Sequence, residues 1–138
     1  ANDNMNNIEK SLVIIKPDGV RKKIIGEIIS RFEKENLTIE KLKMMKISRD
    51  LAYKHYQDHK SKNFFNILID YITSGPVVVM IVSGKNAISR VRELMGSTDS
   101  KKAKQGTIRG DFGVDITINV IHGSDSVESA KREIDLFF

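Results

Sequence analysis

An α+β sandwich of the ferredoxin-like kind, with helices covering a four-stranded antiparallel sheet and a long loop before the last strand, is what this sequence predicts. Three observations carry that expectation. Apolar residues switch between the two-residue period of strands and the 3.6-residue period of helices in the order β-α-β-α-α-β-α-loop-β-α. That order holds two β-α-β halves, which can share one antiparallel sheet. The chain has 138 residues, enough for one core and too few for two ordinary domains.

Each element has its own justification. Ser11 to Ile15 is a run of strand formers, and it leads into Lys16-Pro17-Asp18-Gly19, which fits a type I turn. Ile24, Ile25, Ile28, Ile29 and Phe32 mark one face of a helix ending near Asn36. Apolar residues at 37, 39, 42, 44, 45 and 47 describe a second strand, and a slip in their alternation predicts a bulge. Helical pieces are expected over about Arg49 to Tyr56 and about Lys62 to Thr73, the second aligning Phe64, Leu68 and Ile72. Gly75-Pro76 breaks that helix and opens a central strand, Val77 to Val82; Ala87, Ile88, Val91, Leu94 and Met95 then give another helix. Residues 96–118 carry Gly106, Gly110 and Gly113 with little periodicity, and a loop of that length is seldom kept without a use. The sheet is expected to carry helices on one face and to leave the other to a partner subunit. Residues 9–138 read as a single domain, and residues 1–8 as a tail, disordered or added ahead of Met5.

Composition narrows the class. Hydrophobic residues make up 40% and charged ones 30%, the balance of a globular chain. The absence of cysteine excludes disulfides and thiolate metal sites. The longest apolar run, Val77 to Val82, is too short to cross a bilayer, and the Asn-rich start has no signal-peptide core, so a cytoplasmic location is expected. A net charge of +5 suits either a solvated surface or a field that attracts polyanions such as nucleotides.

The segment Asn119 to Ala130 concentrates the chemistry. Asn119 to Ile121 reads as a short strand, Gly123 as a tight turn, and Asp125 with Glu128 as a capping-box-like start for a helix bearing Val127, Ala130, Ile134 and Phe137 on one face. His122 is therefore expected at a strand-to-helix junction, where backbone N–H groups and the helix dipole favour an anion and keep the imidazole neutral. A neutral imidazole beside an anion site is what a phosphoryl-accepting nucleophile requires. The other histidines, His55 and His59, are four apart and could share a helical face as a metal pair. The surrounding His-Glu-x-x-His pattern is missing, so both are left out of the expected site and no metal-ligating residue is assigned. Lys16, Arg92 and Arg109 are candidate phosphate binders, the last with glycines on either side that suit close backbone approach to a ligand. Ser83-Gly84-Lys85 lacks the spacing of a Walker A loop, and no G-x-G-x-x-G turn is present.

Taken in order, several blocks carry a resemblance. They are Val13 to Val20, His55-Tyr56, Phe64-Phe65, Ser74 to Val77, Gly106 to Phe112 and Asn119 to Ala130. The chain closely resembles the nucleoside diphosphate kinase family over about Glu9 to Phe138. That resemblance implies reversible transfer of the γ-phosphoryl group from a nucleoside triphosphate, usually ATP, to a nucleoside diphosphate, by a ping-pong route through a phosphohistidine on His122. It implies a nucleotide site of Lys16, Tyr56, Phe64, Arg92, Thr98, Arg109 and Asn119. Lys16 and Arg109 would face the moving group, Arg92 and Thr98 the next phosphate, Asn119 with Lys16 the sugar hydroxyls, and Phe64 the base. Ser124 and Glu133 would orient His122. Mg²⁺ is implied as a cofactor held mainly by nucleotide phosphates and water. Stacking on a π-face that every base owns implies broad base specificity.

The chain departs from the family pattern at Asn63, Asp99-Ser100 and Gln105, where prolines or an Asn-Pro pair are usual. It also stops at Phe138, short of the extension seen in many hexameric members. A homohexamer is the first expectation and a homotetramer the second. Two other classes remain: a histidine phosphocarrier serving a protein partner, and a basic nucleic-acid module. Phe64 and Asn119 have no use in the first. The Val, Ile and Met strand centres do not suit the second.

Overall fold

A computed structural model of the protein describes residues 8–138; residues 1–7, most of the expected tail, lie outside them. The first strand, β1 (Ile8–Ile15), begins one residue inside that tail. It is followed by α1 (Pro17–Arg21), α2 (Ile25–Lys34), β2 (Thr38–Lys46), α3 (Arg49–His55), a 3₁₀ turn over Gln57–His59, and α4 (Phe65–Ile72). Then come β3 (Pro76–Lys85), α5 (Ala87–Met95), α6 (Ile108–Phe112), β4 (Ile121–Gly123) and α7 (Val127–Phe137). The four strands form one antiparallel sheet in the order β2-β3-β1-β4. The predicted slip in β2 is a register shift between Ile39 and Lys41.

Helices cover both faces of the sheet, so the expectation of one open face is wrong. Val13 and Ile15 of β1 pack with Val78, Met80 and Val82 of β3 under Ile28 and Phe32 of α2 and Val91 and Met95 of α5. Leu12 and Ile14 point the other way and pack with Val77 and Val79 under Ala52 of α3, Ile69 and Ile72 of α4 and Phe137 of α7. Strands buried on both faces read as continuous apolar runs rather than alternating ones, which is why Ser11 to Ile15 and Val77 to Val82 look as they do. What the sheet leaves open is its β2 edge, where Leu42 and Met44 are half-exposed.

Two other local expectations change. Lys16 to Gly19 does not stop at a turn: Val20 N donates to Lys16 O and the chain continues into one short helix with Pro17 at its first position. The long loop is interrupted by α6, capped by Thr107, whose Oγ1 accepts from Gly110 N at 3.0 Å. Five helical residues are too few to show a period in sequence.

Candidate active site

Strand alternation decides which way His122 faces. A Cβ on Gly123 would lie 2.5 Å from Met95 Sδ and 3.0 Å from Val91 Cγ1, so position 123 faces α5 and only glycine fits without a shift. His122, one residue earlier, turns to the opposite face. There its ring centroid lies 4.7 Å from that of His55, at 81°, where α3 ends. His122 is thus inside a strand, paired with Ile14, and not at a strand-to-helix junction. Gly123 is part of that strand rather than a turn. The sharp change of direction falls earlier, at Val120, with φ +77°. The helix begins at Val127 and its cap is Ser126, whose Oγ accepts from Ser129 N at 3.0 Å, in place of the expected Asp125 with Glu128. Pairing with β1, more than a hundred residues away, shifted the strand two positions; local turn chemistry carries no trace of it.

A specific contact takes over the role assigned to the helix field. His122 Nε2 lies 3.1 Å from Glu133 Oε1 on α7, and the same oxygen accepts from Ser124 Oγ at 2.7 Å. Ser124 is itself fixed, because its Oγ accepts from Leu12 N at 3.0 Å on β1. Burial acts to raise the Glu133 carboxyl, but the bonds and charge of His122, the Ser124 bond and the charge of Arg132 outweigh it, and its pKa lies below the ordinary value. An ionised carboxylate can only accept. The proton between the two groups is therefore on His122 Nε2, and in the neutral ring the lone pair belongs to Nδ1.

The cations are held by backbone geometry. Lys16 N donates to Val120 O at 2.7 Å, and its Nζ donates to Asn119 Oδ1 at 2.8 Å. Asn119 Nδ2 donates to Thr98 O at 2.9 Å and Ile116 O at 3.0 Å, which ties the long loop to this corner. Burial first, and then the charge of Arg109, pull the Lys16 ammonium down to about 8 against the opposing pull of Asp18. Arg109 donates through Nη2 to Ile121 O at 2.7 Å and through Nη1 to Gly96 O at 3.3 Å. Burial and the neighbouring charge of Arg92 lower Arg109 to about 10. Arg92, on α5, reaches Gly123 O at 3.2 Å. Three fixed cations that repel one another and are partly stripped of water form a preorganised site for a polyanion. The glycines flanking Arg109 serve the chain rather than a ligand: a Cβ on Gly110 would lie 2.0 Å from Lys104 O, and Gly106 turns with φ +96°.

These side chains surround one cavity of about 460 Å³. Lys16, Tyr56, Phe64, Arg92, Thr98, Arg109, Asn119, His122 and Glu133 all line it; Ser124 stands behind Glu133, fully buried. Phe64 is at the rim, 42% exposed, with Lys62 Nζ 5.6 Å above its ring and His59 at 5.9 Å. Burial raises the Tyr56 phenol well above its ordinary value.

His55 and His59, which sequence reasoning set aside, also line this cavity. They do not act as a pair on one helical face: His59 is in the 3₁₀ turn after α3. His55 is 4% exposed and packs edge-on against Tyr56 at 4.6 Å and Phe137 at 5.4 Å as well as His122. Burial, then the charges of His122, Lys16, Arg132 and His59, hold it well below the ordinary imidazole range. The only sequence signal for it was its place beside Tyr56 in a resembling block. For a hard divalent cation the lining offers Asp58, Asp125 and Glu133, and Glu133 is already engaged by two donors. That donor set suits a metal that arrives on phosphate oxygens, not one caged by protein.

Comparison with known proteins shows the family. The family model described as "Nucleoside diphosphate kinase" matches residues 9–138. The chain is 60% identical over 137 residues to the nucleoside diphosphate kinase of Pyrococcus furiosus, covering 97% of this chain and 85% of that one. It is 58% identical over 131 residues to that of Pelotomaculum thermopropionicum, covering 95% and 88%. Among solved structures, the Aquifex aeolicus enzyme superposes with a TM-score of 0.92 at 42% identity, covering 95% of each chain. The Halobacterium salinarum enzyme in complex with CDP gives 0.92 at 47% identity, covering 94% of this chain and 87% of that one. A family model matching residues 9–138, relatives at 58–60% identity and superposition at a TM-score of 0.92 lead to one statement: the chain belongs to the nucleoside diphosphate kinase family.

Proposed function

We propose that this enzyme moves the γ-phosphoryl group of a nucleoside triphosphate, usually ATP, onto a nucleoside diphosphate through a phosphohistidine on His122. The observation that carries the reading is the Nε2 contact with Glu133, which leaves Nδ1 as the nucleophilic nitrogen in a cavity lined by Lys16, Arg92 and Arg109. The Nδ1 lone pair attacks the γ-phosphorus, the Nδ1–P bond forms, the bond to the bridging oxygen breaks, and the nucleoside diphosphate leaves with that electron pair. No proton has to move, because Nδ1 carried none. Glu133 offsets the positive charge that grows on the ring, and Ser124 keeps Glu133 in place. A terminal oxygen of a second nucleoside diphosphate then attacks the same phosphorus and frees His122.

Binding follows from the same residues. Lys16 and Arg109 compensate charge on the migrating group, and Arg92 with Thr98 meets the next phosphate. Asn119 with Lys16 reaches the sugar hydroxyls, and Phe64 stacks on the base without reading its edge. Tyr56 packs beside the histidines. A cavity of about 460 Å³ suits one nucleotide. Mg²⁺, when bound with the nucleotide, supplies further charge neutralisation on the phosphates. A protein phosphocarrier would not need the sugar and base contacts.

Self-association accompanies this reading, with a homohexamer first and a homotetramer second. Its support is the exposed apolar set on the β2 edge, Leu42 and Met44, and on the long loop, Val114 and Ile116. Among the described residues no helix is long and apolar enough to cross a membrane. A cytoplasmic location fits an enzyme that needs free nucleoside triphosphates. The test is brief incubation with γ-labelled ATP and Mg²⁺. Acid-labile, alkali-stable label on His122, and loss of transfer in His122→Ala with nucleotide binding kept, are the expected results. Wild-type turnover in His122→Ala would overturn the mechanism.

A further inference from the structure

The active-site histidine belongs to a second constellation that phosphoryl transfer does not use. One ligand atom each from His55, His122 and Glu133 lie within 4.8 Å of one another. His122 Nε2 and Glu133 Oε1 are 3.1 Å apart. The third comes from a ring that is 4% exposed, and among the described residues neither of its nitrogens has a hydrogen-bond partner. A buried imidazole with both nitrogens unpaired is costly. Such a group calls for an explanation.

We propose that His55, His122 and Glu133 form a binding site for a borderline-soft divalent cation, Zn²⁺ foremost, whose occupancy switches off phosphoryl transfer. Two imidazoles and one carboxylate are a known three-ligand set for Zn²⁺, and the cavity side leaves the fourth position for water or a phosphate oxygen. Bonds of about 2.0–2.2 Å in a tetrahedral site put ligand atoms roughly 3.3 Å apart. The His122–Glu133 pair meets that spacing, and His55 must close by roughly 1.5 Å at most to meet it too. Its neighbours on that side are the edges of Tyr56 and Phe137, which hold it by packing and not by hydrogen bonds. Imidazole prefers Zn²⁺ or Cu²⁺ to Mg²⁺, so the magnesium that travels with the nucleotide does not compete for these ligands. Lys16, Arg92, Arg109 and Arg132 line the same cavity and oppose a dication, which makes the site weaker than a closed structural one.

The inhibition rests on the reading that Nδ1 of His122 is the nucleophile. A metal on Nε2 displaces the proton held there, and the neutral ring then carries its one proton on Nδ1. The lone pair that attacks phosphorus is lost, and the hydrogen bond from Nε2 to Glu133 gives way to the metal.

The test uses the full chain without nucleotide, and its first arm needs no activity. Titration with Zn²⁺ by calorimetry should give about one site per chain. X-ray absorption of the zinc-loaded wild type should show two imidazoles in the coordination shell. His55→Gln, checked for an unchanged circular dichroism spectrum, should bind at least about tenfold more weakly. The second arm measures phosphoryl transfer at fixed excess Mg²⁺: micromolar Zn²⁺ should inhibit the wild type, and ten times more should be needed for His55→Gln. An oxygen-only shell, or equal affinity in a folded His55→Gln, would overturn the site. Zinc bound by two imidazoles without inhibition would overturn the switch. Labelling of His122 by ATP in the absence of zinc is read separately, so a failure of the phosphohistidine reading is not mistaken for either.

Discussion

Glu133 Oε1 accepts two hydrogen bonds at once, from His122 Nε2 at 3.1 Å and from Ser124 Oγ at 2.7 Å, and so fixes the tautomer and the tilt of the imidazole together. The contact is local to one oxygen, and it becomes stronger as positive charge grows on the ring. Glu133→Gln removes the charge and keeps the shape. A charge-assisted hydrogen bond contributes about 1.5–3 kcal/mol, so kcat should fall by about 10- to 100-fold with little change in nucleotide KM. Single-turnover phosphorylation of His122 measures this directly, and an unchanged rate removes Glu133 from its role.

Lys16 sets a pH limit. Its ammonium is pulled down to about 8 by burial and by Arg109, so above that pH the free enzyme loses one of the cations facing the phosphates. The parameter kcat/KM, which reports the free enzyme, should decline as pH rises through about 8. Bound phosphates restore the Lys16 charge, so kcat should decline only at higher pH. The sign for stability is opposite. Between about 8 and the ordinary 10.5 the unfolded chain binds more protons at this residue than the folded one, so Lys16 makes the nucleotide-free protein more stable as pH rises through that window. A kcat/KM profile flat to pH 10 would contradict the assignment.

Phe64 should separate binding from folding. It is 42% exposed, so Phe64→Ala costs the fold little. Base stacking on an aromatic ring contributes about 1–3 kcal/mol. Nucleotide KM should therefore rise by about 5- to 100-fold, and by similar factors for adenine, guanine and pyrimidine substrates. A loss confined to one base would mean that the ring reads an edge rather than a face.

How much of this was legible in the chain follows from where each signal lies. The helical face Ile28-Phe32, the β2 slip and the central strand Val77 to Val82 are local patterns, and all three are present as read. The covering of both sheet faces was written in the unbroken apolar runs, but runs alone do not say how many helices reach each face. The position of β4 was not legible, because Ile121 to Gly123 owe their extended form to β1 and not to their neighbours. Lys16, Arg92 and Arg109 come from three separate segments, so their convergence on one cavity is a property of the fold. The place of His55 in the site was not legible for the same reason: buried histidines are common, and only the tertiary contact sets this one beside His122.

Gly123 shows how narrow the tolerance around β4 is. Its absent side chain makes room for Met95 Sδ, which would lie 2.5 Å from an added Cβ. Gly123→Ala forces Met95, 1% exposed, off its position in a packed core, and overpacking of this kind costs about 1–3 kcal/mol. Gly26 on α2 is the matched control, because a Cβ there meets nothing within 4 Å. Gly26→Ala should instead stabilise by about 0.4–1 kcal/mol through a less flexible unfolded chain and a better helix former. Urea midpoints of the two variants should move in opposite directions. In Gly123→Ala with Met95→Ala the two costs should sum to more than the double variant shows, since the smaller side chain at 95 leaves room for the new methyl. Strict additivity would mean that β4 moves as a unit and that His122 is carried with it, which a parallel loss of kcat would reveal.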